Sequence, residues 1–239
     1  MTTIARLRVG LLGLVIALAA QTRVLHAQTP VAPSVSDLPL IWVAPTAPAQ
    51  HITAVLLTGD GGWAELIHHV ADGLAAKGIG VVGFNSRSWL SSPKTPDETA
   101  AAVTRAINAA RAKWPADRLV LVGYSRGADM APFVANRLPE PLRSQLAGIA
   151  MFGLAPMASF EFHLIDLIKD TRRATDVPIM PELEKLRSVR MVCVYGREEP
   201  TSGCRDAPAG LMAKDERDGA HHFDGNVEAL LAHVFSLLR

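Results

Sequence analysis

The sequence lacks most of the features that would place it in a class at a glance. Only Cys193 and Cys204 occur among its 239 residues, too few for a disulfide framework, and a chain of this length buries a substantial core without one. Charge of one sign is also missing. With 24 basic and 23 acidic side chains the net charge is +1, which offers neither a stripe for nucleic acid nor a polybasic patch for a membrane. No internal repeat recurs, and low complexity is confined to a short leader. Past residue 20 there is no apolar run of the roughly 20 residues that a membrane-spanning helix needs.

What is present begins with an export pattern. Arg6 and Arg8 precede an apolar stretch from Val9 to Ala20, and Leu25-His26-Ala27 precede Gln28. Charged, apolar and small segments in that order predict a signal peptide over 1–27, cleaved after Ala27, with no cysteine there for lipid attachment. Residues 28–36 are rich in proline and small side chains and form a leader, so 37–239 is expected to be the single folded domain of a periplasmic protein. In an oxidising compartment the pair Cys193 and Cys204 is expected to form a disulfide.

From Leu38 onward short apolar runs alternate with segments of helical spacing. Strands are predicted at Leu38–Val43, Ala54–Thr58, Ile79–Phe84, Arg118–Gly123, Leu146–Leu154 and Val189–Tyr195. Helices are predicted at Ala64–Lys77, Thr95–Trp114, Gly127–Leu138 and Val227–Leu238. Such alternation predicts an α/β fold, a mostly parallel sheet with helices on both faces and its chemistry in the loops after strands. Ala155–Asp176 is the one segment long enough to serve as a cap, so the cap is expected to be minimal.

Gly123-Tyr124-Ser125-Arg126-Gly127 follows a strand and opens a helix, the context of a nucleophile elbow in an α/β-hydrolase. A serine hydroxyl needs a histidine to take its proton and a carboxylate to orient that histidine, in the chain order Ser, acid, His. After the Val189–Tyr195 strand come Glu198 and Glu199, of which Glu199 is the first choice; Asp206 is a third candidate. Before the last helix come His221 and His222, of which His221 is favoured by a His-x-Phe pattern. The oxyanion donors are expected to be the Arg126 amide and that of Asp60 or Gly61, in the glycine-rich loop Thr58–Trp63. That loop lacks the Lys-Ser/Thr ending of a nucleotide-binding loop, and no third ligand accompanies the histidine pair, so no cofactor or metal is expected.

These segments together resemble the VirJ family of bacterial virulence proteins, which includes the C-terminal domain of AcvB. The similar pieces include Thr58-Gly-Asp-Gly-Gly-Trp63, Gly123-Tyr-Ser-Arg-Gly-Ala-Asp129, Asn136-Arg-Leu-Pro139, Phe160-Glu161, Cys193 with Glu199 and Cys204, and His221-His-Phe-Asp-Gly225. Arg126 stands where relatives often carry phenylalanine. The resemblance implies a periplasmic α/β-hydrolase and, from AcvB-like members, hydrolysis of lysyl-phosphatidylglycerol at the membrane surface. A pocket for that lipid's aminoacyl group wants a carboxylate for the ammonium. Asp60, Asp129 and Glu161 are candidates, and Glu161 is chosen because it follows the Leu146–Leu154 strand. A small-substrate esterase or thioesterase, and a secretion accessory that binds an envelope protein without catalysis, are the alternatives.

Overall fold

The apolar runs form the strands of one large sheet. In chain order the strands are β1 Leu40–Val43, β2 Ile52–Leu57, β3 Gly80–Phe84, β4 Arg118–Tyr124, β5 Leu146–Phe152, β6 Met157–Ala158, β7 Val177–Pro178, β8 Met191–Gly196 and β9 Ala213–Arg217. Seven of them lie side by side in the order β1-β3-β2-β4-β5-β8-β9, all parallel except β1, which runs antiparallel to β3. The computed structural model describes residues 34–167 and 173–239, so the expected export signal and most of the leader lie outside it. No helix among the described residues is long and apolar enough to cross a membrane.

The helices are α1 Glu65–Ala75, α2 Ser86–Trp89, α3 Pro96–Lys113, α4 Arg126–Arg137, α5 Met180–Glu184, α6 Gly203–Asp206 and α7 Val227–Leu237. Side chains alternate across a strand, and the sheet sorts them into two cores. Val55, Leu57, Leu119, Leu121, Ile149 and Met151 pack on one face with α3 and α4. Ala54, Leu56, Val120, Val122, Ala150 and Phe152 pack on the other with α1 and α7. Helix α3 starts where its sequence predicts: Thr95 and Glu98 cap one another and Pro96 occupies the first turn.

One strand of the large sheet has no counterpart in the sequence prediction, nor have the two short strands β6 and β7. β9 reads Ala-Lys-Asp-Glu-Arg and is partly exposed, because it lies at the sheet edge where charged side chains are tolerated and discourage further pairing. It pairs parallel with β8 and leads directly into the loop that carries His221. The candidate cap is small among its described residues: β6 pairs antiparallel with β7, and a single 3-10 turn spans Leu164–Leu167.

The order of strands reverses between β2 and β4, since β3 lies on the far side of β2. In open parallel sheets a crevice forms at the carboxyl ends of the strands where the order reverses. The loop Thr58–Trp63 leaves β2 there, and Ser125 leaves β4 beside it.

Cys193 of β8 is disulfide-bonded to Cys204 of α6, eleven residues on, and the ring encloses the whole loop that carries Glu199. By loop-closure entropy a ring of this size contributes about 3 kcal/mol. The Cys193→Ala/Cys204→Ala double variant is therefore expected to lose about that much stability in urea unfolding.

Candidate active site

Ser125 sits between β4 and α4 with a left-handed backbone, φ 54°, at a residue that is not glycine. That conformation is strained for a residue with a Cβ, and the packing around it holds it in place. A Cβ on Gly123 would lie 2.4 Å from the Gly127 carbonyl oxygen, and one on Gly127 would lie 2.0 Å from that of Leu57. Only glycine fits at either position. The Ser125 amide donates to the Phe152 carbonyl at 2.7 Å, which ties the turn to the end of β5.

The acid and the histidine converge on the same edge. Glu199 is 7% exposed, and its Oε1 accepts from His221 Nδ1 at 3.1 Å, which leaves Nε2 as the basic nitrogen. Glu198 and Asp206 are exposed. The Glu199 loop is held by the disulfide, by Arg205, which donates to the Glu199 carbonyl at 3.1 Å, and by the Glu198 amide, which donates to the Gly219 carbonyl at 3.1 Å.

The two histidines take different places. His222 Nδ1 lies 2.8 Å from the Tyr124 hydroxyl, which also donates to the His221 carbonyl at 3.2 Å. Tyr124 is thus the clamp on the histidine loop, from inside the nucleophile motif itself, and His222 fastens the loop to it. Burial, with the Glu199 charge beside it, pushes the Tyr124 phenol well above its ordinary pKa, so it remains a neutral donor. Sequence reasoning passed over Tyr124 and Gly153. The only available signals were Tyr124's place beside the serine and a glycine at the end of a strand. Gly153, φ 69°, lets the β5 loop lie against His221, since a Cβ there would be 2.5 Å from its Cε1.

Ser125, His221, His222, Glu198, Glu199, Asp60, Gly61 and Arg126 all border one cleft of about 940 Å³. Among the described residues no hydrogen bond joins Ser125 to His221, whose ring is bonded to Glu199. Gly59 brings the loop after β2 against the serine: a Cβ there would be 2.8 Å from Ser125 Cβ. Arg126 contributes more than an amide. Its guanidinium clasps both oxygens of Asp60, with Nη2 to Oδ2 at 2.7 Å, and donates to the carbonyls of Ser159 and Glu161. Its arm therefore spans the loop after β2 and the start of the cap.

Glu161 does not border the cleft. Its carboxylate turns to His163, 3.4 Å away, because the chain from Ser159 to Glu161 presents its carbonyls, not its side chain, to Arg126. Glu161, the sequence-based choice of ammonium partner, is thus not among the residues that border the cleft. Asp129, one turn into α4, does border the cleft, and its Oδ1 accepts from the Ala155 amide at 2.8 Å. Among the described residues no three His, Cys, Asp or Glu side chains are grouped as metal ligands.

Two pKa shifts follow from this packing. Burial draws the His221 pKa down, but the Glu199 hydrogen bond and the charges of Glu199, Asp129 and Asp60 outweigh it, leaving it above the ordinary histidine value. Burial drives Asp129 the other way from most carboxylates, up to about 7, with the Ala155 amide and the Arg126 and His221 charges opposing. A carboxylate raised in the folded state holds its proton there while the unfolded chain has lost it. Stability is then lost as pH rises from about 4 through 7, by up to about 4 kcal/mol. Asp129→Asn is expected to match wild type near pH 3 and to exceed it by about 2–4 kcal/mol at pH 8 in urea unfolding.

Comparison with known proteins agrees with the architecture. A carboxyl esterase from Bacillus coagulans superposes with a TM-score of 0.58 at 11% identity, covering 84% of this chain and 94% of its own. A proline iminopeptidase from Mycobacterium smegmatis gives 0.59 at 12% identity, covering 83% and 93%. The type II thioesterase BorB of the borrelidin cluster gives 0.55 at 18% identity, covering 83% and 98%. At these identities the likeness is one of fold, the α/β-hydrolase fold. No curated protein matches the sequence significantly. The family model described as bacterial virulence protein (VirJ) matches residues 51–239, from the start of β2 to the end of α7, and the chain belongs to that family.

Proposed function

We propose that this protein is an exported serine hydrolase that cleaves a carboxylic ester of an aminoacylated phospholipid such as lysyl-phosphatidylglycerol. The observation that carries the hydrolase reading is the strained Ser125 turn sharing one cleft with the buried Glu199–His221 pair. Nothing in core packing requires a serine at a left-handed position, whereas a nucleophile that must project from the sheet does.

In the proposed reaction His221 Nε2 takes the Ser125 proton as Oγ attacks the ester carbonyl. Glu199 holds the ring and balances the imidazolium that forms. The amides of Arg126 and of Asp60 or Gly61 stabilise the oxyanion. Collapse of the tetrahedral intermediate expels the lipid alcohol, which takes the proton from His221. Water then attacks the acyl-serine by the same route and releases the amino acid.

The lipid substrate is supported by family membership and by a cleft of about 940 Å³ under a small cap. Export to the periplasm is supported by the charged and apolar order of the N-terminus and by a disulfide, which persists in oxidising compartments.

Lysine release from lysyl-phosphatidylglycerol in detergent micelles tests the reading. Wild type is expected to release lysine, and Ser125→Ala to do so at least about a thousandfold more slowly. Serine-directed fluorophosphonate labelling without lysine release would keep the hydrolase and discard the lipid. No labelling and no release, with envelope partners still bound, would favour the accessory reading.

His221→Ala should be as damaging as Ser125→Ala, and His222→Ala milder, since His222 acts only through the loop. The rate should rise with pH as His221 loses its proton, with a midpoint above about 6.5, and Glu199→Gln should move that midpoint down.

A further inference from the structure

The cleft has an imbalance of charge that the chemistry at Ser125 does not use. Among the described residues six acids border it, Asp60, Glu65, Asp129, Asp176, Glu198 and Glu199, against two arginines, Arg126 and Arg173. Most of the acids are engaged or peripheral. Asp60 is clasped by Arg126 and Glu199 by His221. Glu65 and Glu198 are exposed, Glu65 with His69 3.5 Å away. Asp176 accepts from the Arg173 amide at 2.7 Å and keeps a buried Oδ1 without a partner among the described residues, but it belongs to the cap segment, whereas Asp129 stands in α4 directly after Ser125. Asp129 remains. It is 8% exposed, and Oδ1 accepts from the Ala155 amide, while Oδ2 has no hydrogen-bond donor among the described residues.

We infer that Asp129 is the specificity-determining counter-ion for a protonated amine adjacent to the scissile carbonyl, so that the cleft selects aminoacyl over plain acyl esters. This rests on the hydrolase reading above and assigns the part of the substrate that it left without a partner.

Position favours the α-ammonium over a more distant one. The Asp129 amide donates to the Ser125 carbonyl at 3.1 Å, so Asp129 lies in the first turn of α4 beside the serine, and both residues border the cleft. Oγ of Ser125 bonds to the acyl carbon. An α-ammonium is two bonds from that carbon, whereas the side-chain ammonium of lysine is six bonds away.

Burial supplies the selectivity. A carboxylate out of water is costly unless a cation meets it. An acyl group with hydrogen in place of the ammonium leaves that cost unrelieved, and an aminoacyl group relieves it through a charge-assisted hydrogen bond. The raised pKa of Asp129 is consistent with a site that holds a proton until a cation replaces it.

Two esters of equal length provide the test: alanine ethyl ester, which carries the α-ammonium, and ethyl propionate, which does not. Acid release at pH 7 gives kcat/KM for each, corrected for its hydroxide-catalysed rate. Wild type should prefer the alanyl ester, and Asp129→Asn should lower that preference on the order of tenfold to a hundredfold, the range of one hydrogen bond to a charged group. An unchanged preference, or an equal fall for both esters as a structural role would give, overturns the assignment.

Calorimetric titration of Ser125→Ala with alanine ethyl ester needs no turnover. Binding that vanishes in Ser125→Ala/Asp129→Asn supports the site even if Ser125 proves not to be the nucleophile. Binding that is equal in both variants, or absent from Ser125→Ala, overturns it.

Discussion

The structure turns on how closely three backbone segments approach one another at Ser125. Between Leu57 at the end of β2, Gly123 at the end of β4 and Gly127 in the first turn of α4 there is no space for a Cβ. That absence of space lets α4 begin directly over the sheet and forces the serine into a left-handed backbone. Strain of this kind costs on the order of 1–3 kcal/mol and survives only where its surroundings over-determine it. Here the surroundings are the parallel ladders of β2 and β5 on either side of β4, whose side chains are almost wholly buried. Two well-packed cores therefore sustain one unfavourable dihedral.

The other members of the site are held by lighter means, each acting on a loop. Tyr124 bonds to both histidines of one loop from beneath, so the nucleophile turn and the histidine loop share a residue. The disulfide and Arg205 fix the Glu199 loop, and the Gly203 amide, donating to the Leu154 carbonyl at 2.8 Å, fastens that loop to the end of β5. Arg126 reaches from the serine's neighbour to the loop after β2 and to the start of the cap. The Arg126–Asp60 pair is mostly buried, its side chains 10% and 19% exposed, and truncating either partner would strand a charge.

Charge gives the cleft its second character. Glu199 and Asp129 act on His221 from opposite needs: Glu199 is bonded to the ring, whereas Asp129 acts on it only through its charge. Both raise the basicity of the imidazole against the pull of burial. Burial raises the Asp129 pKa, so ionising it costs stability of the folded state.

Much of this was legible without coordinates, because it rests on local chemistry. Continuous apolar runs can only be buried strands in a chain of this composition, and a Thr-Pro-Asp-Glu start can only open a helix well. Small residues on both sides of a serine between strand and helix mark a turn too tight for anything larger. The sequence alone thus determined the α/β alternation, the elbow and the pairing of two lone cysteines. Which of Glu198 and Glu199 bonds to which of His221 and His222 waited for the tertiary structure, since adjacent residues differ only in which way the loop turns them. So did β9, whose charged sequence hides a strand that exists because β8 offers it an edge. Glu161 and Asp129 were indistinguishable as carboxylates near the ends of strands. Only the fold turns one toward His163 and leaves the other beside Ser125, because burial and direction belong to the packing of distant segments and not to the order of residues.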